Sequence, residues 1–210
     1  MRLPNGVTVD ASGVEWKYIF QDRVYDHWPY QKDWVVVDLG AFYGVFSFYV
    51  CNKVRHVYAV EPVPEVCEVL RRAVRENSID NITVVEAAIG VETGVFPFTV
   101  YKRKYASFFK APRFFNDVDR IEKVRTYRWE DFLKEYNILK VDYAKLDIEG
   151  SEADVLCRME TLPKRIVVAK YHEKYFYCPD TNYLRRLMKE KGYRIVKENE
   201  ESLFGELEEV

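Results

Sequence analysis

Hydrophobic and polar positions change their spacing repeatedly along this chain, and each change predicts an element. Trp34 to Val37 is a continuous apolar run closed by Asp38, as expected for a parallel strand covered on both faces. Residues 43–53 follow with helical spacing, and H-V-Y-A-V-E then forms a second strand ending at Glu61. Pro62 and Pro64 open another helix, with Val66, Val69, Leu70, Ala73 and Val74 on one face. Residues 82–89 predict a third strand, and residues 94–102 alternate like an inserted strand or hairpin arm. Residues 102–128 are the least regular part. A helix is predicted over 129–136, a fourth buried strand over 141–148, and a helix capped by Ser151 running through Met159. A fifth strand over 165–172, a helix over 179–191 closed by Gly192, and a terminal hairpin (193–197 and 202–207) complete the series. Alternating strands and helices predict one α/β domain over 34–210, with parallel strands joined by crossing helices. Residues 1–33 form an aromatic-rich leader, containing Trp16, Tyr18, Phe20, Tyr25, Trp28 and Tyr30, expected to pack on that domain.

Bulk properties narrow the class. The 210 residues are 48% apolar and 31% charged, enough for one globular core. No apolar stretch reaches membrane-span length, and M-R-L-P-N-G lacks a signal core, so a cytoplasmic location is expected. The net charge of −2 gives no global attraction to nucleic acid. Cys51, Cys67, Cys157 and Cys178 are widely spaced without a C-x-x-C pair, which argues against a zinc site or a disulfide framework.

The candidate chemistry lies between the first two strands. Gly40 and Gly44 in D-L-G-A-F-Y-G let the backbone turn sharply and approach a ligand. The close G-x-G pair of a dinucleotide fingerprint is missing, and Asp38 stands where phosphate would be repelled. An acid at the next strand end, about 20 residues on, suits the two hydroxyls of a ribose. S-adenosylmethionine carries a sulfonium and an ammonium and no phosphate, so acids around this loop favour it.

Four blocks in order, V-V-D-L-G-A-F-Y-G at 36–44, A-V-E-P-V-P at 59–64, A-A-I-G at 87–90 and A-K-L-D-I-E-G-S-E at 144–152, resemble the FkbM-type methyltransferases, a branch of the class I S-adenosylmethionine-dependent enzymes. The resemblance spans roughly residues 30 to 175. It implies a Rossmann-like class I methyltransferase fold: a mostly parallel seven-stranded sheet, its last strand antiparallel, with helices on both faces. It also implies methyl transfer, usually to oxygen, with S-adenosylhomocysteine as product. One departure is Phe42, where the family usually has Asn.

On this reading the cofactor-binding candidates are Asp38, Gly40, Ala41, Phe42, Tyr43, Gly44, Glu61, Pro62, Glu86, Ala87, Ala88 and Asp147. Backbone groups at 86–88 would hold the adenine, where the resemblance places it. Alternation puts Lys145, Asp147 and Glu149 on one face of a regular strand. Asp147 is the first candidate for orienting acceptor or cofactor, followed by Glu149, while His172 suits proton removal from an acceptor hydroxyl. These three are the catalytic candidates, and an ion-pair group around Lys145 is the structural alternative. Lys104, Ser107 and Glu152 are the substrate-binding candidates, and Ala106 and Ser107 match a small-residue loop in the family. Spacing defines no metal site. The expected partner is a small-molecule or glycan acceptor. RNA methylation is the second reading, and a catalytically silent S-adenosylmethionine-binding protein the third. Nothing in the sequence selects an oligomeric state.

Overall fold

The computed structural model describes residues 1–11, 16–102, 106–107, 118–170 and 182–208. The main sheet has seven strands. Its first three are β1 (Val35–Leu39), β2 (His56–Glu61) and β3 (Ile82–Glu86). Further along the chain come β8 (Tyr143–Leu146), β9 (Arg165–Ala169), β10 (Tyr193–Glu198) and β11 (Ser202–Leu207). The order across the sheet is β10-β11-β9-β8-β1-β2-β3. Only β11 runs against the rest, inserted between β9 and β10 and antiparallel to both. This is the Rossmann-like arrangement expected, with the last strand reversed.

Parity along the strands divides the core. Val36, Val57 and Tyr143 face a cluster shared with the leader (Leu3, Val9, Ile19, Tyr25), with α2 (Val45–Val50) and with α3 (Pro64–Glu76). Val37, Val60 and Ala144 face the opposite cluster, with α4 (Trp129–Glu135), α5 (Glu152–Arg158) and α6 (Tyr183–Glu190). The leader carries one short helix, α1 (Lys17–Phe20), and an Arg2–Thr8 bridge. A 3-10 turn at Cys51–Lys53 extends α2. No described helix is long and apolar enough to cross a membrane.

The region between β3 and α4 differs from the sequence expectation. The predicted third strand is two strands, because the chain turns at Ala87, whose N–H donates to both Glu61 O and Val85 O at 3.1 Å. Beyond the turn, β4 (Ala88–Ile89) joins a second sheet ordered β4-β7-β5-β6, with β5 (Gly94–Tyr101), β6 (Ala106–Ser107) and β7 (Val118–Tyr127). The region read as least regular therefore contains a ten-residue strand. Its alternation was hidden because charges occupy both faces: Asp119, Lys123 and Arg125 point out, while Arg120 and Glu122 are half-buried. Arg120 donates to both Glu65 oxygens of α3 at 2.7 and 2.8 Å, tying the second sheet to the main domain.

Candidate functional site

From β1 the chain proceeds outward through β2 to β3, whereas β8 and β9 fill the other side. The strand order therefore reverses between β1 and β8, and open α/β sheets bind ligands outside the carboxyl ends of strands at such a switch point. Gly40 and Asp147 occupy that position. The Asp147 N–H donates to Leu39 O at 3.1 Å, which zips the two strand ends together. Gly40 has φ +75°, and a Cβ there would sit 1.8 Å from Asp147 O. Only glycine satisfies both the left-handed backbone and this approach.

Beneath the loop lies a buried ion pair. Asp38 has no exposed surface. Ser47 of α2 donates to its Oδ2 at 2.7 Å, and Lys145 Nζ donates to its Oδ1 at 3.0 Å and to Gly40 O at 3.1 Å. Burial pulls the Lys145 ammonium down, but Asp38 and Asp147 more than offset it and hold the group above the usual lysine value. Asp38 thus works from below, through Lys145 and the Gly40 carbonyl. The sequence signal for Lys145 was its place in Y-A-K-L, since a lysine inside a buried strand requires a carboxylate partner.

Four of the loop amides are already committed. Gly40 and Ala41 N–H both donate to Val60 O at 3.0 Å, Gly44 N–H to Ala41 O at 2.8 Å, and Phe42 N–H to Glu61 Oε2 at 2.9 Å. Glu61 Oε1 accepts from Val63 N–H at 2.9 Å, so one carboxylate clamps the loop after β1 and the start of α3. It is 4% exposed. Burial pushes its carboxyl up to about 7, against the Val63 and Phe42 hydrogen bonds that favour the ionised form.

Residues 38–195 match the family described as the Methyltransferase FkbM domain. The chain belongs to this family. Methyltransferase 1 of Beauveria bassiana (strain ARSEF 2860) is 27% identical over 159 residues, covering 67% of this chain and 64% of that protein. This chain therefore spans less than two thirds of the Beauveria protein. Methyltransferase sdnD of Sordaria araneosa is 23% identical over 216 residues, covering 89% of this chain and 83% of that protein. Among solved structures, methyltransferase FkbM from Methylobacillus flagellatus KT has a TM-score of 0.55 at 16% identity, covering 90% of this chain and 47% of that one. SMU.1697c from Streptococcus mutans, solved in complex with SAH, has a TM-score of 0.51 at 10% identity, covering 85% of this chain and 91% of that one. At these identities the structural likeness establishes the fold.

Within the FkbM domain the D-I-E-G-S-E block is a loop clamped by its own helix. Strand β8 ends at Leu146, and Glu149 is left-handed at φ +53°, so the alternation that placed it beside Lys145 and Asp147 stops before it. Asp147 does stay on the Lys145 side: its Oδ2 lies 3.7 Å from Lys145 Nζ and accepts from the Tyr25 phenol at 3.0 Å. Glu152 is buried, and its two oxygens accept from Ile148 and Gly150 N–H at 2.8 and 3.0 Å. Ser151 stands at the cap position, but its buried Oγ makes no hydrogen bond, so Glu152 rather than Ser151 satisfies the loop amides.

The remaining candidates are spread more widely. Phe42 is left-handed at φ +50°, a conformation Asn adopts far more readily, and it packs with Tyr43 against Val63, Val66 and Val100. Pro62 follows the Glu61 clamp directly, and Ala87 and Ala88 are buried at the turn between the sheets. Glu86 faces solvent and pairs with Arg71 of α3 at 2.7 Å. Ser107 lies in β6 opposite Thr99, in a strand rather than the loop expected. His172 and Lys104 lie outside the described residues. No group of three metal-ligating side chains occurs among the described residues. Tyr25 was not singled out by sequence, since its contact with Asp147 spans 122 positions.

Proposed function

We propose that this protein is an S-adenosylmethionine-dependent O-methyltransferase acting on a hydroxyl of a small molecule or glycan. The observation that carries this reading is the state of the glycine loop. The N–H groups of Gly40, Ala41, Phe42 and Gly44 are all spent inside the protein, so they cannot cradle a pyrophosphate as a dinucleotide loop does. Around them stand the carboxyl groups of Glu61 and Asp147, while Asp38 lies beneath the loop, paired with Lys145. This donor set suits a cationic, phosphate-free cofactor.

The cofactor, when bound, supplies an electrophilic methyl group on a sulfonium. Glu61 accepts hydrogen bonds from the ribose hydroxyls through lone pairs its two backbone contacts leave open. Backbone at 86–88 borders the adenine. Asp147 would hold the cationic methionine end of the cofactor. Positioning of an acceptor beside the bound cofactor and exclusion of water would supply most of the rate. His172, outside the described residues, is the candidate for taking the acceptor proton.

The test is calorimetric titration of the protein with S-adenosylmethionine, S-adenosylhomocysteine and NAD. Micromolar binding of the first two, lost in Glu61→Ala and absent for NAD, is expected. Binding of NAD alone would overturn the assignment. Transfer of radiolabelled methyl to polyols and sugars rather than to RNA then decides the acceptor class.

A further inference from the structure

The leader reaches the switch point itself. Tyr25 is 4% exposed, and its phenol donates to Asp147 Oδ2 at 3.0 Å. Its ring is packed edge-on against Phe46 of α2, with centroids 5.4 Å apart. Its carbonyl accepts from the buried Tyr143 hydroxyl of β8 at 2.9 Å. The next residue, Asp26, accepts from Tyr49 at 2.6 Å and from Tyr30 at 3.1 Å, while its carbonyl accepts from Lys197 of β10. The phenol is therefore held at its oxygen by Asp147 and at its ring by Phe46, while Tyr143 fixes the backbone behind it, and the carboxylate it meets retains 14% of its side-chain exposure.

We infer that Tyr25 is a positioning residue of the methyl-donor site. By fixing the Asp147 carboxylate at the switch point, it sets how strongly the site prefers a cationic sulfonium donor over the neutral thioether product. The physical basis is that two groups share one oxygen. Lys145 Nζ lies 3.7 Å from the same Oδ2 and 5.4 Å from the centre of the Tyr25 ring, and alone it would draw the carboxylate toward the buried Asp38 pair. The phenol donates to that oxygen and gives it a second anchor without adding positive charge. A carboxylate so held acts on a cation more than on a neutral ligand of the same shape. A plain structural staple between leader and sheet would treat the two ligands alike. This inference rests on the S-adenosylmethionine reading above.

The experiment measures dissociation constants for S-adenosylmethionine and S-adenosylhomocysteine by calorimetry, with melting temperature recorded for each variant. Asp147→Asn is expected to reduce the donor-to-product affinity ratio by about tenfold, and Tyr25→Phe by about threefold. The double variant should be no worse than Asp147→Asn, since both remove one arrangement. Tyr49→Phe loosens the leader through Asp26 without touching Asp147, and should leave the ratio unchanged. Equal weakening of both ligands in Tyr25→Phe, or a normal ratio beside an altered one in Asp147→Asn, overturns the inference while leaving the cofactor assignment standing. Failure of the wild type to bind either ligand overturns the cofactor assignment and this inference with it. If Tyr25→Phe fails to fold, the Asp147→Asn ratio decides alone: an unchanged ratio overturns the inference.

Discussion

Glu61 shows how one side chain couples structure and protonation. Its carboxyl sits at about 7 in the folded protein against an ordinary value of 4.5, because burial removes more solvation than two backbone hydrogen bonds return. The folded state therefore holds this proton more tightly than the unfolded state does. The resulting stabilisation is complete below pH 4.5 and is lost as pH rises through about 7, a swing on the order of 3 kcal/mol. In the ligand-free protein, Glu61→Gln should flatten the fall in stability between pH 5 and 8, measured by urea denaturation at each pH. Ribose hydroxyls donating to the carboxylate would favour its ionised form. S-adenosylhomocysteine should then bind more tightly at pH 8 than at pH 6 and release a proton near neutrality. Titration in buffers of different ionisation enthalpy detects that proton, and none would appear if the ribose sits elsewhere.

At the scale of elements, the contact between the ends of β1 and β8 is the least tolerant feature of the fold. Gly40→Ala would place a methyl 1.8 Å from the Asp147 carbonyl at φ +75°. Backbone on both sides must shift, so we expect a loss of at least about 3 kcal/mol. Gly192→Ala, at φ +88° but 3.6 Å from a flexible Leu207 methyl, should cost only about 1 kcal/mol. Similar urea midpoints for the two variants would show that the β1–β8 approach is not a constraint. This also explains which elements the sequence made legible. β1, β2 and the β10–β11 hairpin announce themselves because one environment covers each whole strand or face. β7 does not, since its half-buried Arg120 and Glu122 find partners in each other and in Glu65 of α3. The loop after β8 stood out in the sequence as a candidate, but its shape did not. Its clamp is Glu152 reaching back to Ile148 and Gly150, a local solution in which the first helical residue takes the part that capping rules assign to Ser151.

For the whole molecule, the strand order concentrates most of the candidate ligand-binding residues at one edge of the main sheet. The loop after β1, the Glu61 clamp, the turn at Ala87 and the loop after β8 all emerge at the carboxyl end of the parallel strands. The second sheet meets this edge through Ala88, through Val100 packed against Val63 and Val66, and through the Arg120–Glu65 contact. The leader belongs to the edge, since Tyr25 shares a core cluster with Val36 and Phe46 as well as touching Asp147. A ligand at the switch point should therefore slow amide exchange over residues 39–47, 61–66, 86–88 and 147–151, and in the leader around Tyr25. Residues 94–98 and 118–124 should be unaffected. The global effect follows from mass action: S-adenosylhomocysteine at a hundred times its dissociation constant stabilises by about 2.7 kcal/mol. For a chain of this length that raises the melting temperature by roughly 5 to 10 °C. Hydrogen exchange with and without the ligand reads both. Protection centred on β5 and β7 would place the ligand on the second sheet and remove the switch point from the chemistry. Protection of the carboxyl edge without the leader would instead separate Tyr25 from the site while leaving the cofactor there.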